Sequence, residues 1–272
     1  MADTSMRTPT CDITTHERWF GAFTAPYLEE GPEHVGPVRL KIEHTHHVLS
    51  NARSIVDSED FSPLVQRAAL LAALYHDTGR FPQYRRWRTF SDPRSVNHAL
   101  LGGRTLREAG ALDDEPVEVR RLVLGAVVMH NRFRVPSGIP DDARTVTDVV
   151  RDADKLDIFR VMAPHLAPGA ERDKVVVLHV EDAPGKWSPV IVADVLAGRV
   201  ASYADLRYVN DFRLLLGTWV RDLRFPASRR MLAASGLVEN ILSALPDSDD
   251  MARARARILS DLADAARGRG GT

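Results

Sequence analysis

The stretch SPLVQRAALLAALYHD, residues 62–77, constrains this chain more than any other. Ser62 followed by Pro63 reads as a helix start: a hydroxyl placed to cap free backbone N–H groups, then a residue whose missing N–H costs nothing at the first helical position. Beyond it nearly every residue is apolar, on all sides of a 3.6-residue period, so the helix belongs inside a fold rather than on it. Its end is then interior too, and that end is His76-Asp77, followed by Thr78, Gly79 and Arg80. A buried imidazole beside a buried carboxylate is unfavourable unless both are satisfied. A metal ion satisfies both at once; a His-Asp pair that merely caps the helix end is the alternative.

The chain around this helix reads as all-α. Apolar periodicity and capping residues predict helices over 16–30, from about Pro37 to Asp57, from Ser62 to Gly79, from Asp92-Pro93 to Gly110, over 116–131 and over 141–163. Helical spacing returns from about residue 188. KVVVLHV, residues 174–180, has the β-branched density of a strand but nothing evident to pair with, and is taken as a local irregularity. No long Gly/Ser/Pro linker interrupts the pattern, which favours a single helical domain over 16–267. Its core spans about 38–163 and a C-terminal helical extension about 164–267, with loose tails at 1–15 and in the terminal ARGRGGT.

Composition narrows the partners. A net charge of −1 gives no global attraction to nucleic acid or to an anionic membrane, so any anion recognition must be local. No apolar run reaches 18 residues, the N-terminus lacks the pattern of a signal peptide, and the single Cys11 cannot form an internal disulfide. The expectation is a cytoplasmic protein, with a homodimer possible.

Helical angles sort the candidate ligands. Asp154 lies between Val150 and Ile158 on the apolar stripe of its helix, with Val161 one turn further, so a carboxylate sits where burial is expected. Asp157 falls toward the same face and reads as support for a ligand, whereas Asp152 projects to the far side and reads as a solvated charge. His130 continues the stripe Val119, Val123, Ala126 and Val127; a satisfied core histidine is the plainer reading. His98, before Gly102 and Gly103, is undecided, though the glycines suggest close helix packing. In HTHH, residues 44–47, His47 lies opposite the apolar arc, and His44 is preferred over His46 because Val48 and Ile55 are its neighbours. His16, His34, His165 and His179 read as surface or structural.

Taken in order, His44, His76-Asp77, His98, His130 and Asp154 resemble the HD-domain metal-dependent phosphohydrolase superfamily, over roughly residues 38–163. The resemblance implies that His44, His76, Asp77 and Asp154 are metal ligands and that Asp77 bridges two ions where two are bound. It further implies that His98 and His130 hold the second ion, and that Asp77, His98 and His130 belong to the catalytic set. One departure is His47, where many HD proteins carry arginine. Imidazole with carboxylate suits Fe, Mn, Co, Ni or Zn, one or two ions per chain, better than Mg or Ca. Two such ions can activate water and neutralise a phosphoryl group.

A phosphate also requires cations, and RFPQYRRWRTFSDPR supplies five arginines. Arg85 and Arg86 read as solvated. Arg80, just after the ligand-bearing helix end, is expected to stabilise charge on the phosphoryl group, with Arg88 and Lys155 as further substrate contacts. Tyr84, Trp87 and Phe90 could stack on a nucleobase or simply pack a loop. The function expected is hydrolysis of a small phosphate ester, a nucleotide foremost. The resemblance leaves two alternatives: a mixed-valent di-iron oxygenase, with Tyr27 and Glu30 as a lid, and a non-catalytic nucleotide-sensing domain.

Overall fold

A computed structural model describes residues 11–167, 169–170 and 180–267. Its α-helices are α1 (Thr14–Thr24), α2 (Pro32–Val56), α3 (Pro63–Tyr75), α4 (Arg80–Trp87), α5 (His98–Glu108), α6 (Val117–Met129) and α7 (Asp141–Leu166), then α8 (Pro189–Leu196), α9 (Val209–Thr218), α10 (Pro226–Ser235), α11 (Leu237–Ser243) and α12 (Asp249–Ala266). The fold is all-α: among the described residues the nearest thing to a strand is one isolated bridge, Glu181 to Tyr208.

α3 is the axis of the first half. Ser62 Oγ accepts from Val65 N at 3.3 Å, and every residue from Ala68 to Tyr75 is buried, as an all-round apolar helix requires. α2, α6 and α7 pack around it. Each buried leucine on it contributes about 1.5–3 kcal/mol relative to exposure. One apolar cluster runs from Ile13 to Ala153; a second begins at Leu156 and takes in α8 to α12. Both share α7, 26 residues and about 39 Å long. That helix therefore carries any side chain on its inner face from the first cluster toward the second.

Several boundaries differ from the sequence expectation. α2 starts at Pro32, not Pro37, on a Gly31 cap at φ 126°; Pro37 sits inside the helix, where it forgoes only the bond to Glu33 O. The first helix ends at Thr24 and tightens into a 3-10 turn, Ala25–Tyr27, at Pro26, which has no N–H to continue it. α3 stops at Tyr75, four residues before Gly79, and Arg80–Trp87 is a helix rather than a basic loop. Asp92-Pro93 opens only a 3-10 turn; α5 begins at His98, with Asn97 Oδ1 accepting from Leu100 N at 3.0 Å. The N-terminal tail is packed from Ile13, which is 1% exposed. Residues 1–10, 268–272, His179 and the rest of KVVVLHV up to it lie outside the described residues.

Candidate metal centre

His76 and Asp77 fall in the turn between α3 and α4, built from Thr78 N to Tyr75 O at 3.1 Å and Arg80 N to Asp77 O at 2.8 Å. Gly79 has an ordinary right-handed φ of −68°, so it is not needed to reverse the chain. It is needed for closeness. A Cβ there would stand 2.1 Å from His98 O and 2.5 Å from Gly102 N, so the turn and α5 touch backbone to backbone. This contact brings His98 beside Asp77, and Gly102 and Gly103 serve the close packing that their presence suggested.

Two groups of buried donors converge on Asp77: His44 and His76 on one side, His98 and His130 on the other. His44 Nε2 lies 3.3 Å from His76 Nε2, 3.6 Å from Asp77 Oδ2 and 3.2 Å from Asp154 Oδ1. His76 Nε2 is 3.7 Å from Asp77 Oδ2 and 3.9 Å from Asp154 Oδ1. On the other side His98 Nε2 and His130 Nε2 are 3.1 Å apart, and 3.4 and 3.8 Å from Asp77 Oδ1. Each carboxylate oxygen of Asp77 thus faces one pair of histidines.

Every one of the four rings has its Nδ1 committed. Asp157 Oδ2 accepts from His44 at 2.7 Å, Ala73 O from His76 at 2.8 Å, Asp92 from His98 at 2.8–2.9 Å, and Val127 O from His130 at 2.7 Å. With Nδ1 donating, the neutral ring turns an Nε2 lone pair inward. Four such lone pairs and two carboxylates face one another across 3–4 Å, more acceptors than Lys41 and Arg80 can satisfy at Asp77, and a cation resolves the excess. Donors bonded at about 2.1 Å to one ion stand about 3.0 Å apart on an octahedral edge and about 3.4 Å on a tetrahedral one. The observed spacings fit, and the mixed nitrogen and oxygen donors suit a transition metal.

The electrostatics agree for three of the four rings; burial and then Lys41 act to lower His44, but hydrogen bonds to Asp154 and Asp157 raise it overall. Burial pushes His98 and His130 down to about 4, and pushes His76 down as well, so these rings are neutral at pH 7. Burial acts to raise Asp77 and Asp154, but cationic and imidazole neighbours overcome it: Lys41 first for Asp77, His44 first for Asp154. Both carboxylates are held well below their usual range.

Asp157, read from the sequence as support for a ligand, accepts from His44 and, through Oδ1 at 2.6 Å, from Arg160 Nε. Asp152 is a correction. It is fully buried, not solvated, because the C-terminal extension covers that side of α7; its carboxylate accepts from Arg224 N and Phe225 N at 2.9–3.1 Å. His46 and His47 are exposed, and His16 is a buried structural residue between Tyr75 Oη and Glu115.

Two site residues carry no sequence assignment above. Lys41 Nζ donates to Asp77 Oδ2 at 2.7 Å; it precedes His44 by three residues, and that helical spacing was the available signal. Asp92 gathers His98, Arg80, Gln83 and Asn131, a convergence from three separate segments that no local spacing encodes.

The arginines sort differently from expectation. Arg80 Nη1 donates to Phe90 O, Gln83 Oε1 and Asp92 Oδ1, and its Nε lies 3.4 Å from Asp77 Oδ1; none of these uses Nη2. Arg88 pairs with Glu30 at 2.9 Å and is not among the cavity-lining residues, which corrects its place as a substrate contact; the left-handed end of α4 aims it elsewhere. Glu30 is held by Arg85 and Arg88, and Tyr27 lies under Arg85 among Phe23 and Phe81, so neither forms a lid here. Lys155 lines the cavity but gives its Nζ to Asp222 at 2.5 Å.

The centre opens into a cavity of about 1070 Å³, bounded by α2, α7, the 90–93 and 131–135 segments and residues 199–204. The helices thus converge two histidine pairs on a shared carboxylate beneath a cavity, an arrangement that could hold metal ions. Residues 42–162 match the family model of the HD domain. No curated protein and no solved structure shows significant similarity to the chain. Among the described residues no helix is long and apolar enough to cross a membrane.

Proposed function

We propose that the chain is a metal-dependent phosphohydrolase acting on a small phosphate ester, a nucleotide foremost. The observation that carries this reading is Asp77: one buried carboxylate whose two oxygens face separate histidine pairs, at the floor of an open cavity bordered by Lys41 and Arg80. When bound, one or two divalent transition-metal ions would supply Lewis acidity and a water acidified toward neutral pH. His44, His76, Asp77 and Asp154 would hold one ion, and His98 and His130 with Asp77 the other.

The protein's own contribution is orientation and charge. Asp157 and Asp92 orient His44 and His98, and the carbonyls of Ala73 and Val127 orient His76 and His130, so no ring has to turn to present its Nε2. Lys41 and Arg80 place two cations against Asp77, where negative charge grows when water attacks phosphorus. Lys155 and Arg151 share Asp222 at the cavity wall and form a second cationic edge.

The test is phosphate release by protein reconstituted with Mn, Co, Fe, Ni or Zn, under air and without oxygen. Release that persists unchanged in His76→Ala and Asp77→Ala overturns the reading. Dependence on oxygen together with iron would instead favour the oxygenase alternative.

A further inference from the structure

The cavity continues past the metal centre into a compartment walled by the C-terminal extension. Along α7, Asp154, Ile158 and Val161 face it at helical spacing, so the helix leads from a ligand carboxylate straight onto apolar surface. The opposite wall is aromatic. Tyr203 is seated on Phe212 and Trp219, each at a ring-centroid distance of 6.0 Å and steeply inclined to it, and Phe159 braces Trp219 from behind at 6.2 Å. Phe212 and Trp219 are buried, and their positions are settled by the second apolar cluster.

Tyr203 itself is not finished by the fold. It keeps 46% of its surface open while lining the cavity, and its hydroxyl has no hydrogen-bond partner among the described residues. The ring is held by two others yet offers open surface to the cavity, where a planar group could stack on it. Tyr203 lines the same cavity as Asp154 and Arg80. A phenol is protonated at neutral pH, so the Tyr203 hydroxyl can donate a hydrogen bond.

We propose that Tyr203 is the residue that selects the substrate: its ring is one wall for a planar aromatic group joined to the phosphate, and its hydroxyl donates to an oxygen of that phosphate. The preferred substrate is then a nucleoside phosphate rather than a sugar phosphate of the same charge. The selecting element lies outside the segment that matches the HD domain, so the extension supplies specificity and the domain supplies the metal centre. The turnover part of this inference rests on the hydrolase reading above; the binding part does not.

The experiment compares adenosine 5′-monophosphate with ribose 5-phosphate, which has the same phosphate and sugar but no ring to stack. Both are titrated calorimetrically into the metal-reconstituted full chain, and phosphate release is followed in parallel. A stacked base corresponds to roughly 5- to 150-fold in affinity, so the wild type should bind the nucleotide at least about tenfold more tightly. Tyr203→Ala should bring the two ligands within about twofold. Tyr203→Phe, which keeps the ring and guards against a folding artefact, should preserve the binding preference while lowering kcat on both substrates by roughly 3- to 10-fold. Equal wild-type affinities, or a preference that survives Tyr203→Ala, overturns the proposal. A preference that disappears in Tyr203→Ala while neither ligand releases phosphate upholds Tyr203 as the selecting residue and refutes the hydrolase reading alone.

Discussion

Gly79 and His98 meet so closely that a methyl group on the glycine would stand 2.1 Å from the histidine's carbonyl oxygen. That single contact locks the turn bearing His76-Asp77 to the helix bearing His98, and so joins the two halves of the metal centre. Gly79→Ala should therefore displace α5, since the clash is with backbone and cannot be relieved by a side-chain rotation. A loss of about 1–3 kcal/mol in unfolding free energy is expected, together with a drop from two bound ions toward one, read by denaturant titration and metal analysis.

Asp92 tests whether the second histidine pair depends on its support. Asp92→Ala removes the acceptor that fixes His98, and should weaken the ion held by His98 and His130 by about 10- to 100-fold. The ion at His44 should be retained. Competition with a chelator, monitored by calorimetry, would separate the two sites, and equal weakening at both would refute the division described above.

Lys41→Met keeps the length of the side chain and removes the ammonium on Asp77. If Lys41 also neutralises the phosphoryl group, kcat/KM should fall by roughly 10- to 100-fold, the equivalent of one charge-assisted hydrogen bond of about 1.5–3 kcal/mol. Metal content should be unchanged. Wild-type turnover in this variant would restrict the lysine to a structural role.

Far from the cavity, Glu115 makes stability pH-dependent. Hydrogen bonds from Arg67 hold its carboxyl below the ordinary value of 4.5, against the opposing effect of burial, with His16 adding to the depression. A carboxylate depressed on folding stabilises the native state fully above its unfolded pKa, and that stability is lost as pH falls through the folded value. Wild-type unfolding free energy should accordingly decline as pH drops below about 4.5, and Glu115→Gln should be less stable at pH 7 and flatter across this range. Urea titrations at several pH values would show it.

Asp152→Ala removes the acceptor for Arg224 N and Phe225 N where the extension docks on α7. Leaving those groups unsatisfied should cost about 1–3 kcal/mol. Were Asp152 an exposed charge, thermal unfolding of the variant would match that of the wild type.

The sequence by itself determined the helical class, the buried course of α3 and the inward turn of His44, His130 and Asp154, because each follows from periodicity along one helix. His76-Asp77 could be placed inside for the same reason. The tertiary structure decided the rest. Asp152 changed from solvated to buried because a segment some 70 residues later covers it, and no angle on α7 contains that segment. Arg88 was lost from the site because Glu30 captures it, and Asp92 entered because three separate segments converge on it. Tyr203 and Asp154 line one cavity although 49 positions separate them in the chain. Periodicity reports which way a side chain points from its own axis; only packing decides what stands opposite.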